Sequence, residues 1–320
     1  MRVFIVTPAA RGTRNGNRNT AVRWGRLLRS VGHEVTLDTV WQGQPADVLI
    51  ALHARRSHDS IVRFRHAFMN APLIVALTGT DLYRDIRYDA NAQASMRMAD
   101  RMILLQEDGL RELSAALRRK CRVVYQSASP LARSRPLARA FEIAVVGHLR
   151  EEKDPFRAAL SARLLPEQSR VRIVHLGRAL SASMHRQARR LMQTEPRYRW
   201  LGELPHWQVR KYLARAQALV ISSIMEGGAN VASEALAANL PVLASRISGN
   251  IGMLGRNYEG YFPVGDERAL AALIHRLETD AGFRRRLKAQ CAARRHLVSV
   301  DRERLALKHI VSDLVVEKRR

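Results

Sequence analysis

The chain has 320 residues, 47% of them hydrophobic, which is longer than a single hydrophobic core usually supports, so two domains are expected. The formal net charge is +25, from 54 Lys and Arg against 29 Asp and Glu, and it favours anionic ligands. The arginines are scattered through every segment and only 6% of residues are aromatic, with no recognised binding module, which argues against a nucleic-acid-binding protein.

An alternation of apolar strands and helices fills the first part of the chain. The pattern predicts a polar loop at 8–19, a helix from Thr20, and strands at 3–7, 35–37, 47–52, 72–77, 102–105 and 122–125. Strands that alternate with helices in this way are typical of a doubly wound parallel sheet. We therefore expect an α/β domain at 1–135.

A segment with two prolines and no periodicity, 128–140, is interpreted as an interdomain linker. The alternation then begins again, with strands predicted at 141–146, 171–176, 199–201, 218–221, 241–245 and 261–263, and helices at 155–165, 182–193, 209–216, 231–238, 267–279 and 281–298. We expect a second α/β domain at 136–299. A helix at 300–320 is expected to return toward the first domain.

The expected compartment follows from what the sequence lacks. No apolar run approaches the length of a membrane span, and the N-terminal apolar stretch is too short for a signal peptide. Cys121 and Cys291 form no metal-binding motif and are expected to be unpaired thiols in a reducing environment. We expect a cytoplasmic protein without stable membrane insertion.

The most informative stretch joins the strand at 218–221 to the helix at 231–238 through Glu226, Gly227 and Gly228. This order places a helix N-terminus at the carboxyl edge of a parallel sheet, where backbone N–H groups and the helix dipole bind anions. Glu226 and Glu234 bracket that N-terminus, and carboxylates beside a phosphate site suit a nucleotide sugar. A glycine turn with a solvated glutamate is the open alternative.

Several motifs together resemble the GT-B glycosyltransferases, and within them family 4. The resemblance rests on the two glutamates spaced as E-x7-E and on four weaker segments, which are GHEV at 32–35, ALTGTD at 76–81, GHLREEK at 147–153 and GYFPVGD at 260–266. It implies two Rossmann-like, doubly wound parallel-sheet domains that face each other across a cleft. It spans nearly the whole chain.

Longer strings resemble one branch of that family, the selenosugar synthases of selenoneine biosynthesis. These strings are GNRNTAVRW, ALHARRS, LTGTDLYRD, GHLREEKDPFRAALSARL and MEGGANVASEALA. The resemblance implies transfer of a sugar from a UDP-sugar, with UDP-N-acetylglucosamine expected, to selenophosphate, with a new carbon–selenium bond and release of UDP. It also implies a functional link to the other enzymes of that pathway and no cofactor. Because no D-x-D triplet occurs, we expect no metal.

On the donor side, the resemblance implies that Lys153 contacts the diphosphate, that Glu234 accepts hydrogen bonds from ribose hydroxyls, and that Glu226 contacts the sugar ring. His148 stands where the family has arginine, so we expect Arg150 to supply the missing charge, because a neutral imidazole donates only one hydrogen bond. The expected donor-binding residues are His148, Arg150, Lys153, Glu226, Gly227, Gly228, Ala229, Asn230 and Glu234.

On the acceptor side, a polar loop resembles the family loop that faces the acceptor, and it suits a small anion such as selenophosphate. The expected acceptor residues are Arg14, Asn15, Gly16, Asn17, Arg18, Thr80 and Asp81, although a solvated basic loop is the alternative for the first five. The residues expected to be catalytic are Arg150, Lys153, Glu226 and His53. His53 follows a strand, where it is an acid/base or phosphate-ligand candidate or else a structural histidine.

Two further expectations concern the reaction. Thr78 replaces a histidine that many family members have near the reacting centre, and selenophosphate is already anionic, so we expect that little or no general base is required. The alternative function is an ordinary retaining family 4 hexosyltransferase that acts on a cell-envelope lipid or glycan, with its basic face and its tail helix on an anionic membrane.

Overall fold

The computed structural model of the protein describes residues 1–13 and 15–319. Contacts within the chain divide it into two units. Unit 1 comprises Met1–Ser127, Glu226–Asn230 and Ser299–Arg320, and unit 2 comprises Ala128–Met225 and Val231–Val298. The proline-containing segment 128–140 therefore groups with unit 2, and a short segment from the second half of the chain groups with unit 1.

Unit 1 is built on a parallel sheet covered by helices. Its strands are β1 Arg2–Val6, β2 Glu34–Asp38, β3 Val48–Leu52, β4 Leu73–Leu77, β5 Arg101–Leu104 and β6 Cys121–Val123, and its helices are α1 Gly16–Arg29, α2 His58–Ala67, α3 Ile86–Tyr88, α4 Ala90–Met98 and α5 Ala115–Lys120. A π-helical turn spans Asp81–Asp85, and a 3-10 helix spans Glu107–Glu112. The strand order is β2-β1-β3-β4-β5-β6. From β1, the chain adds β2 on one side and then β3 on the other, so the order of strand addition reverses between β1 and β3.

Alternate residues of the same strand supply two separate cores in unit 1. Val3 and Ile5 of β1 pack on the face that holds Trp24 of α1, whereas Phe4 and Val6 pack on the opposite face with Phe64 of α2. All residues of β3 and β4 are buried, because helices cover both faces. This arrangement explains why these strands have continuous apolar sequences.

Unit 2 repeats the architecture with another strand order. Its strands are β7 Phe141–Val146, β8 Val171–Leu176, β9 Tyr198–Trp200, β10 Ala218–Ile221, β11 Val242–Ser245 and β12 Tyr261–Phe262, and its helices are α6 Arg157–Ala162, α7 Ala182–Thr194, α8 His206–Arg215, α9 Asn230–Ala237, α10 Ser248–Leu254, α11 Glu267–Thr279 and α12 Ala281–Arg294. Short 3-10 helices span Glu151–Lys153 and Arg295–Val298. The order is β12-β11-β10-β7-β8-β9, with the reversal between β7 and β10.

The last helix, α13, spans Val300–Arg319 and belongs to unit 1. Its apolar side chains at 307, 310, 311 and 314 join the core that also holds Trp24 of α1 and alternate residues of β1. The C-terminal helix thus completes the cover of one face of the first sheet.

The predicted fold class, α/β with two doubly wound parallel sheets, is confirmed, and β8, β10 and α11 have the predicted bounds. The start of α1 was predicted wrongly. The helix begins at Gly16 instead of near Thr20, because the Asn15 side chain accepts a hydrogen bond from the Arg18 amide at 3.0 Å and caps the helix there. In the described part of the chain, no helix is long and apolar enough to cross a membrane.

Candidate functional site

Each sheet has one switch point, where the order of the strands along the chain reverses. Ligands of open α/β sheets bind at the carboxyl ends of the strands there. In unit 1 this position is between β1 and β3, and in unit 2 it is between β7 and β10. Residue 53 follows β3, residues 147–153 follow β7, and residues 222–228 follow β10. Most of the predicted site residues therefore come from one or the other sheet edge.

The loops after β7 and β10 are fixed to each other in unit 2. The Ile224 amide donates to the Glu152 carbonyl at 2.9 Å. The Ser222 hydroxyl lies 3.1 Å from the Lys153 carbonyl and 2.8 Å from the Asp154 carbonyl, both of which are acceptors. These bonds position the turn that presents Arg150 and Lys153 beside the switch point of the sheet.

The two predicted cations of this turn differ from the arginines that stabilise the fold. The Arg150 side chain is 41% exposed, and its Nε lies 3.9 Å from Glu152 Oε2, which is a loose ion pair. Lys153 is half-buried at the end of the Glu151–Lys153 turn. Both side chains therefore lie where a dissolved anion can reach them.

The loop after β8 supports the loop after β7 and orients His148. The Arg178 amide donates to His148 Nδ1 at 3.1 Å, so Nε2 is the ring nitrogen that carries a proton. Gly177 has φ of +154°, and a Cβ there would lie 1.9 Å from the Gly147 carbonyl oxygen. Only glycine allows the two loops to approach so closely.

Glu234, on α9, has a partner that the sequence did not indicate. The Nε2 atom of His206 lies 2.7 Å from Glu234 Oε1, and this hydrogen bond raises the pKa of His206 above its ordinary value. The Glu234 side chain is only 17% exposed, whereas that of His206 is 67% exposed. Glu234 is the predicted ribose contact, and one of its carboxylate oxygens is therefore already hydrogen-bonded to an exposed side chain.

A cavity of about 510 Å³ lies beyond β8 and β9 in unit 2. Its walls come from the loop after β8, the start of α7 and the end of β9, with residues 178–182, His185, Trp200, Gly202 and Glu203 as its lining. Its volume is in the range of small-molecule pockets, and it offers aromatic rings together with polar groups.

The segment Glu226–Asn230, which carries the glycine turn, packs within unit 1. A Cβ on Gly227 would lie 2.6 Å from the Gly79 amide nitrogen, and one on Gly79 would lie 3.0 Å from the Gly227 nitrogen. The segment Thr78–Asp81 after β4 thus lies directly against the glycine turn. Glu226 and Ala229 are both buried there.

His53, Asp81 and Asp85 form a buried cluster at the carboxyl edge of the unit 1 sheet. His53 has a left-handed backbone with φ of +77°, which is rare for a bulky side chain and common at functional sites. Its Nδ1 lies 3.3 Å from Asp81 Oδ1 and its Nε2 lies 3.7 Å from Asp85 Oδ2. The Thr80 hydroxyl is 3.4 Å from Nε2, so three of the predicted residues are brought together here.

The chemistry of this cluster is that of one shared proton. The Arg56 amide donates to His53 Nδ1 at 3.4 Å, and Asp81 Oδ1, 3.3 Å from the same nitrogen, is buried without a hydrogen-bond partner among the described residues, so a proton on that carboxyl oxygen would satisfy both groups. Burial raises the pKa of Asp81 to about 7, against the opposing effect of the Ala54, Arg55 and Thr78 amides. Burial and the nearby guanidinium groups, Arg56 foremost, lower the pKa of His53 to about 4.

Among the described residues, His53, Asp81 and Asp85 form a group whose ligand atoms are close enough to hold a metal ion. Their spacing in the sequence did not reveal this group. Asp85 is already paired with two cations, since Arg55 Nε lies 3.0 Å from Oδ2 and Arg84 Nε lies 3.1 Å from Oδ1. Asp81 Oδ2 accepts the Ala54 amide at 2.8 Å. With the carboxylate charges balanced in this way, the donor set fits a proton better than a divalent cation.

The predicted acceptor residues at the N-terminus are arranged differently from the expected loop. Arg14 lies outside the described residues. Asn15 caps α1, and Gly16, Asn17 and Arg18 form the first turn of that helix. A Cβ on Gly16 would lie 3.8 Å from Nδ2 of the Asn230 side chain, so this helix start adjoins the end of the glycine segment in unit 1.

Three polar residues around the glycine segment escaped the sequence analysis. Arg23 of α1, Gln126 and Glu303 of α13 make hydrogen bonds to one another or to the segment Gly228–Asn230. One of them had a readable signal. Glu303 lies on the same helical stripe as Leu307, Ile310 and Leu314, and a charged residue on an apolar stripe indicates a buried ion pair.

The fold is that of known glycosyltransferases. The structure of Anabaena HepE, solved with UDP and glucose, superposes with a TM-score of 0.77 at 15% identity, over 98% of this chain and 100% of that one. Sucrose-phosphate synthase from Thermosynechococcus elongatus superposes with a TM-score of 0.78 at 16% identity, over 99% of each chain. Both likenesses show the GT-B fold.

Relatives in sequence are matched over shorter segments. TuaC of Bacillus subtilis, described as a teichuronic acid biosynthesis glycosyltransferase, is 35% identical over 77 residues, which is 24% of this chain and 20% of TuaC. The family model named "Glycosyl transferases group 1" matches residues 133–294, just over half of the chain. The match includes the loops after β7 and β10 and both glutamates of the E-x7-E motif. The chain belongs to the group 1 glycosyl transferases.

Proposed function

We propose that this protein is a glycosyltransferase that uses a UDP-sugar as donor. The observation that carries the proposal is the switch point of the unit 2 sheet, where the turn with Arg150 and Lys153 is hydrogen-bonded to the loop that leads into α9. Cations and a helix N-terminus are the groups that bind a diphosphate and stabilise it as a leaving group. Family membership and the UDP found in the HepE structure support this choice of donor.

The proposed donor contacts assign a separate task to each group. Arg150, Lys153, the single N–H of His148 and the amides at 227–230 bind the diphosphate. Glu234 accepts hydrogen bonds from ribose hydroxyls through the oxygen that His206 leaves open, and Glu226 accepts from the sugar ring. The cavity beyond β8 and β9 is large enough to receive a planar base.

We further propose that the acceptor is a small anion and that selenophosphate is its identity. The first turn of α1 supports an anion, because its N-terminus presents backbone N–H groups and the turn carries Arg18. In the proposed step, the selenium atom attacks the anomeric carbon of the sugar, a carbon–selenium bond forms, and the bond from that carbon to the UDP oxygen breaks. UDP departs with the electron pair, stabilised by Arg150 and Lys153.

His53 takes a positioning role in this proposal. Its ring is buried and both of its nitrogens face carboxyl groups, so it is held away from a substrate. Through Asp81 and Thr80 it supports the segment that packs on Gly227. The nucleophile is already anionic, so the step needs no general base and rests on positioning and leaving-group stabilisation.

The test incubates the purified protein with UDP-N-acetylglucosamine and selenophosphate. We expect release of UDP and a selenium-bearing sugar, recognised by its isotope pattern in mass spectrometry. Parallel reactions with Lys153→Ala, with inorganic phosphate in place of selenophosphate, and with other UDP-sugars identify the enzyme, the nucleophile and the donor. UDP release that is independent of selenophosphate, or no selenium in any product, contradicts the acceptor assignment.

The alternative, a hexosyltransferase that acts on a cell-envelope glycan or lipid, is favoured by the match to TuaC. It predicts transfer of radiolabelled sugar from a UDP-sugar into a membrane or polysaccharide fraction, without any need for selenophosphate. Because both reactions share the donor, UDP binding by itself does not separate them. Only the acceptor dependence of turnover does so.

A further inference from the structure

The segment Glu226–Asn230 is held by residues outside the sheet from which it emerges. It follows β10 of unit 2, yet its contacts group it with unit 1. Gly227 packs on the backbone at Thr78 and Gly79, and a Cβ on Gly228 would lie 2.8 Å from the Leu105 Cβ. The backbone amides proposed to receive the donor diphosphate are therefore positioned by residues of the N-terminal half.

Arg23 makes the central polar contact to this segment. Its Nη1 donates to the Asn230 side-chain oxygen at 2.9 Å. Its Nε lies 2.9 and 3.1 Å from the two carboxylate oxygens of Glu303, a charge-assisted pair in which Glu303 is fully buried. The guanidinium group thus connects the C-terminal helix to the start of α9.

Gln126 adds a second set of bonds from the end of the unit 1 segment. With its amide oriented so that the nitrogen faces the glycine segment, it donates to the Gly228 carbonyl at 2.9 Å and to Asn230 Oδ1 at 3.1 Å. Its oxygen then accepts from Arg23 Nη2 at 3.3 Å. Arg23 and Gln126 therefore converge on the same side-chain oxygen of Asn230.

Three further donors hold the Glu303 carboxylate in place, and the carboxylate in turn positions Arg23. The Trp24 indole N–H donates to Oε1 at 2.8 Å, and the Ser127 amide donates to Oε2 at 2.8 Å, with the Ser127 hydroxyl on the same oxygen. Trp24 and Glu303 are both buried. A carboxylate saturated with donors in this way allows its arginine one geometry.

We propose that Arg23 and Gln126, with Glu303 behind Arg23, are positioning residues for nucleoside diphosphate binding. They hold Gly228 and Asn230 so that the amides at the start of α9 face a diphosphate before it arrives. None of the three is required to touch the ligand. Their effect is to lower the ordering cost of binding, because a preorganised loop loses less entropy than a mobile one. This inference rests on the proposed function for its ligand, UDP, but not for its structural content.

The test compares Arg23→Gln with Arg26→Gln, which changes the same charge at an exposed position of the same helix. Isothermal titration with UDP is expected to give at least a tenfold weaker Kd for Arg23→Gln and a Kd within twofold of the parent for Arg26→Gln. Gln126→Leu keeps the Arg23–Glu303 pair and the side-chain volume, so it serves as a second variant that is expected to fold. It is expected to weaken UDP binding at least threefold.

Hydrogen exchange separates this inference from the function on which it rests. Without any ligand, amides at 227–230 are expected to exchange at least tenfold faster in Arg23→Gln than in the parent, and at the parent rate in Arg26→Gln. Unchanged exchange in both Arg23→Gln and Gln126→Leu overturns the inference, as does a lowered melting temperature with unchanged UDP affinity. Absence of UDP binding to the parent overturns the donor proposal, and the exchange result still decides the positioning role.

Discussion

The carboxyl edges of the two sheets differ in how their ionisable side chains are held. In unit 1, Asp81 and Asp85 are buried beside His53, and each carboxyl group has a hydrogen-bond or ion-pair partner. In unit 2, the corresponding loop presents Arg150 as a half-exposed side chain whose contact with the Glu152 carboxylate is loose, at 3.9 Å. Both edges follow the same topological rule, but the partly exposed Arg55 and Arg84 of unit 1 are paired closely with Asp85, whereas Arg150 of unit 2 has a looser carboxylate contact.

This difference has a physical reason. A buried carboxyl group needs fixed partners or a proton, because desolvation strongly disfavours an isolated charge. The cluster at His53 therefore serves rigidity, and it braces the segment Thr78–Asp81 against the glycine turn. In the proposed donor site, Arg150 and Lys153 are partly exposed, which suits groups that bind and release a charged ligand. We call the unit 1 edge the supporting edge and the unit 2 edge, where the donor is proposed to bind, the binding edge.

The largest expected effect comes from adding one methyl group where the supporting edge meets the glycine turn. Gly227→Ala places a Cβ 2.6 Å from the Gly79 nitrogen and 2.8 Å from the Thr78 carbonyl carbon, and both are backbone atoms that cannot rotate away. We expect a loss of about 3 kcal/mol in the free energy of unfolding, with loss of UDP binding. Urea unfolding and titration calorimetry measure the two effects.

Gly147→Ala at the binding edge is the matched control, because its nearest neighbour, Lys153 Cδ, would be 3.9 Å away. We expect it to change the unfolding free energy by less than about 1 kcal/mol. Equal losses in the two variants would show that the two edges are packed alike, and would break the comparison.

The strands and most helices could be predicted because burial on both faces produces long apolar runs, as in β8 and β10. The motif around Glu226 and Glu234 could be predicted because its chemistry is local in sequence. The predicted start of α1 was wrong because Asn15 caps the helix, although the composition of the residues that follow Asn15 is typical of a loop.

The partners of the site residues could not be predicted in the same way. Arg23 and Glu303 are 280 positions apart, and Glu234 and His206 are 28 apart, so only the folded chain brings them together. The raised pKa of Asp81 beside His53 has the same origin, since it depends on burial that no spacing encodes. Glu303 alone left a trace, as a charge on an apolar helical stripe.

The second expected effect sharpens the binding edge. Lys153→Ala removes a cation whose charge-assisted contact with a phosphate is worth about 1.5–3 kcal/mol, so UDP affinity should fall about 10- to 100-fold. The control is Lys211→Ala, because Lys211 lies over the Trp207 ring, 4.7 Å from its centre, and has no predicted ligand contact. Calorimetry should show an unchanged Kd for that variant. A melting temperature close to the parent's in both variants assigns the loss to binding.

The third effect tests the shared proton of the supporting edge. Burial raises the folded pKa of Asp81 to about 7 from an ordinary 3.8, so its stabilising contribution is complete below pH 3.8 and is lost as the pH rises to about 7. Asp81→Asn cannot ionise, and its amide can still accept from Ala54 and donate to His53. We expect the stability of Asp81→Asn relative to the parent to increase by about 2 kcal/mol between pH 5 and pH 8.

Urea unfolding at the two pH values measures that increase. Asp85→Asn is the contrasting variant, because it loses its pairing with Arg55 and Arg84 and should be less stable than the parent at both pH values. Parallel pH profiles for Asp81→Asn and the parent would mean that Asp81 is ionised in the folded protein, and the proton assignment would then fail.

The smallest effect concerns the pair between His206 and Glu234. Glu234 raises the pKa of His206, so the pair stabilises fully below pH 6.5 and its contribution is lost as the pH rises through the raised pKa. Because His206 is largely exposed, His206→Ala should cost about 0.5 kcal/mol at pH 6 and nothing measurable at pH 9, with UDP affinity within threefold of the parent. Glu234→Ala removes the proposed ribose acceptor itself and should weaken UDP binding about tenfold at both pH values. Equal weakening of UDP binding by the two variants would contradict a separate role for Glu234, because the two side chains would then act as one unit.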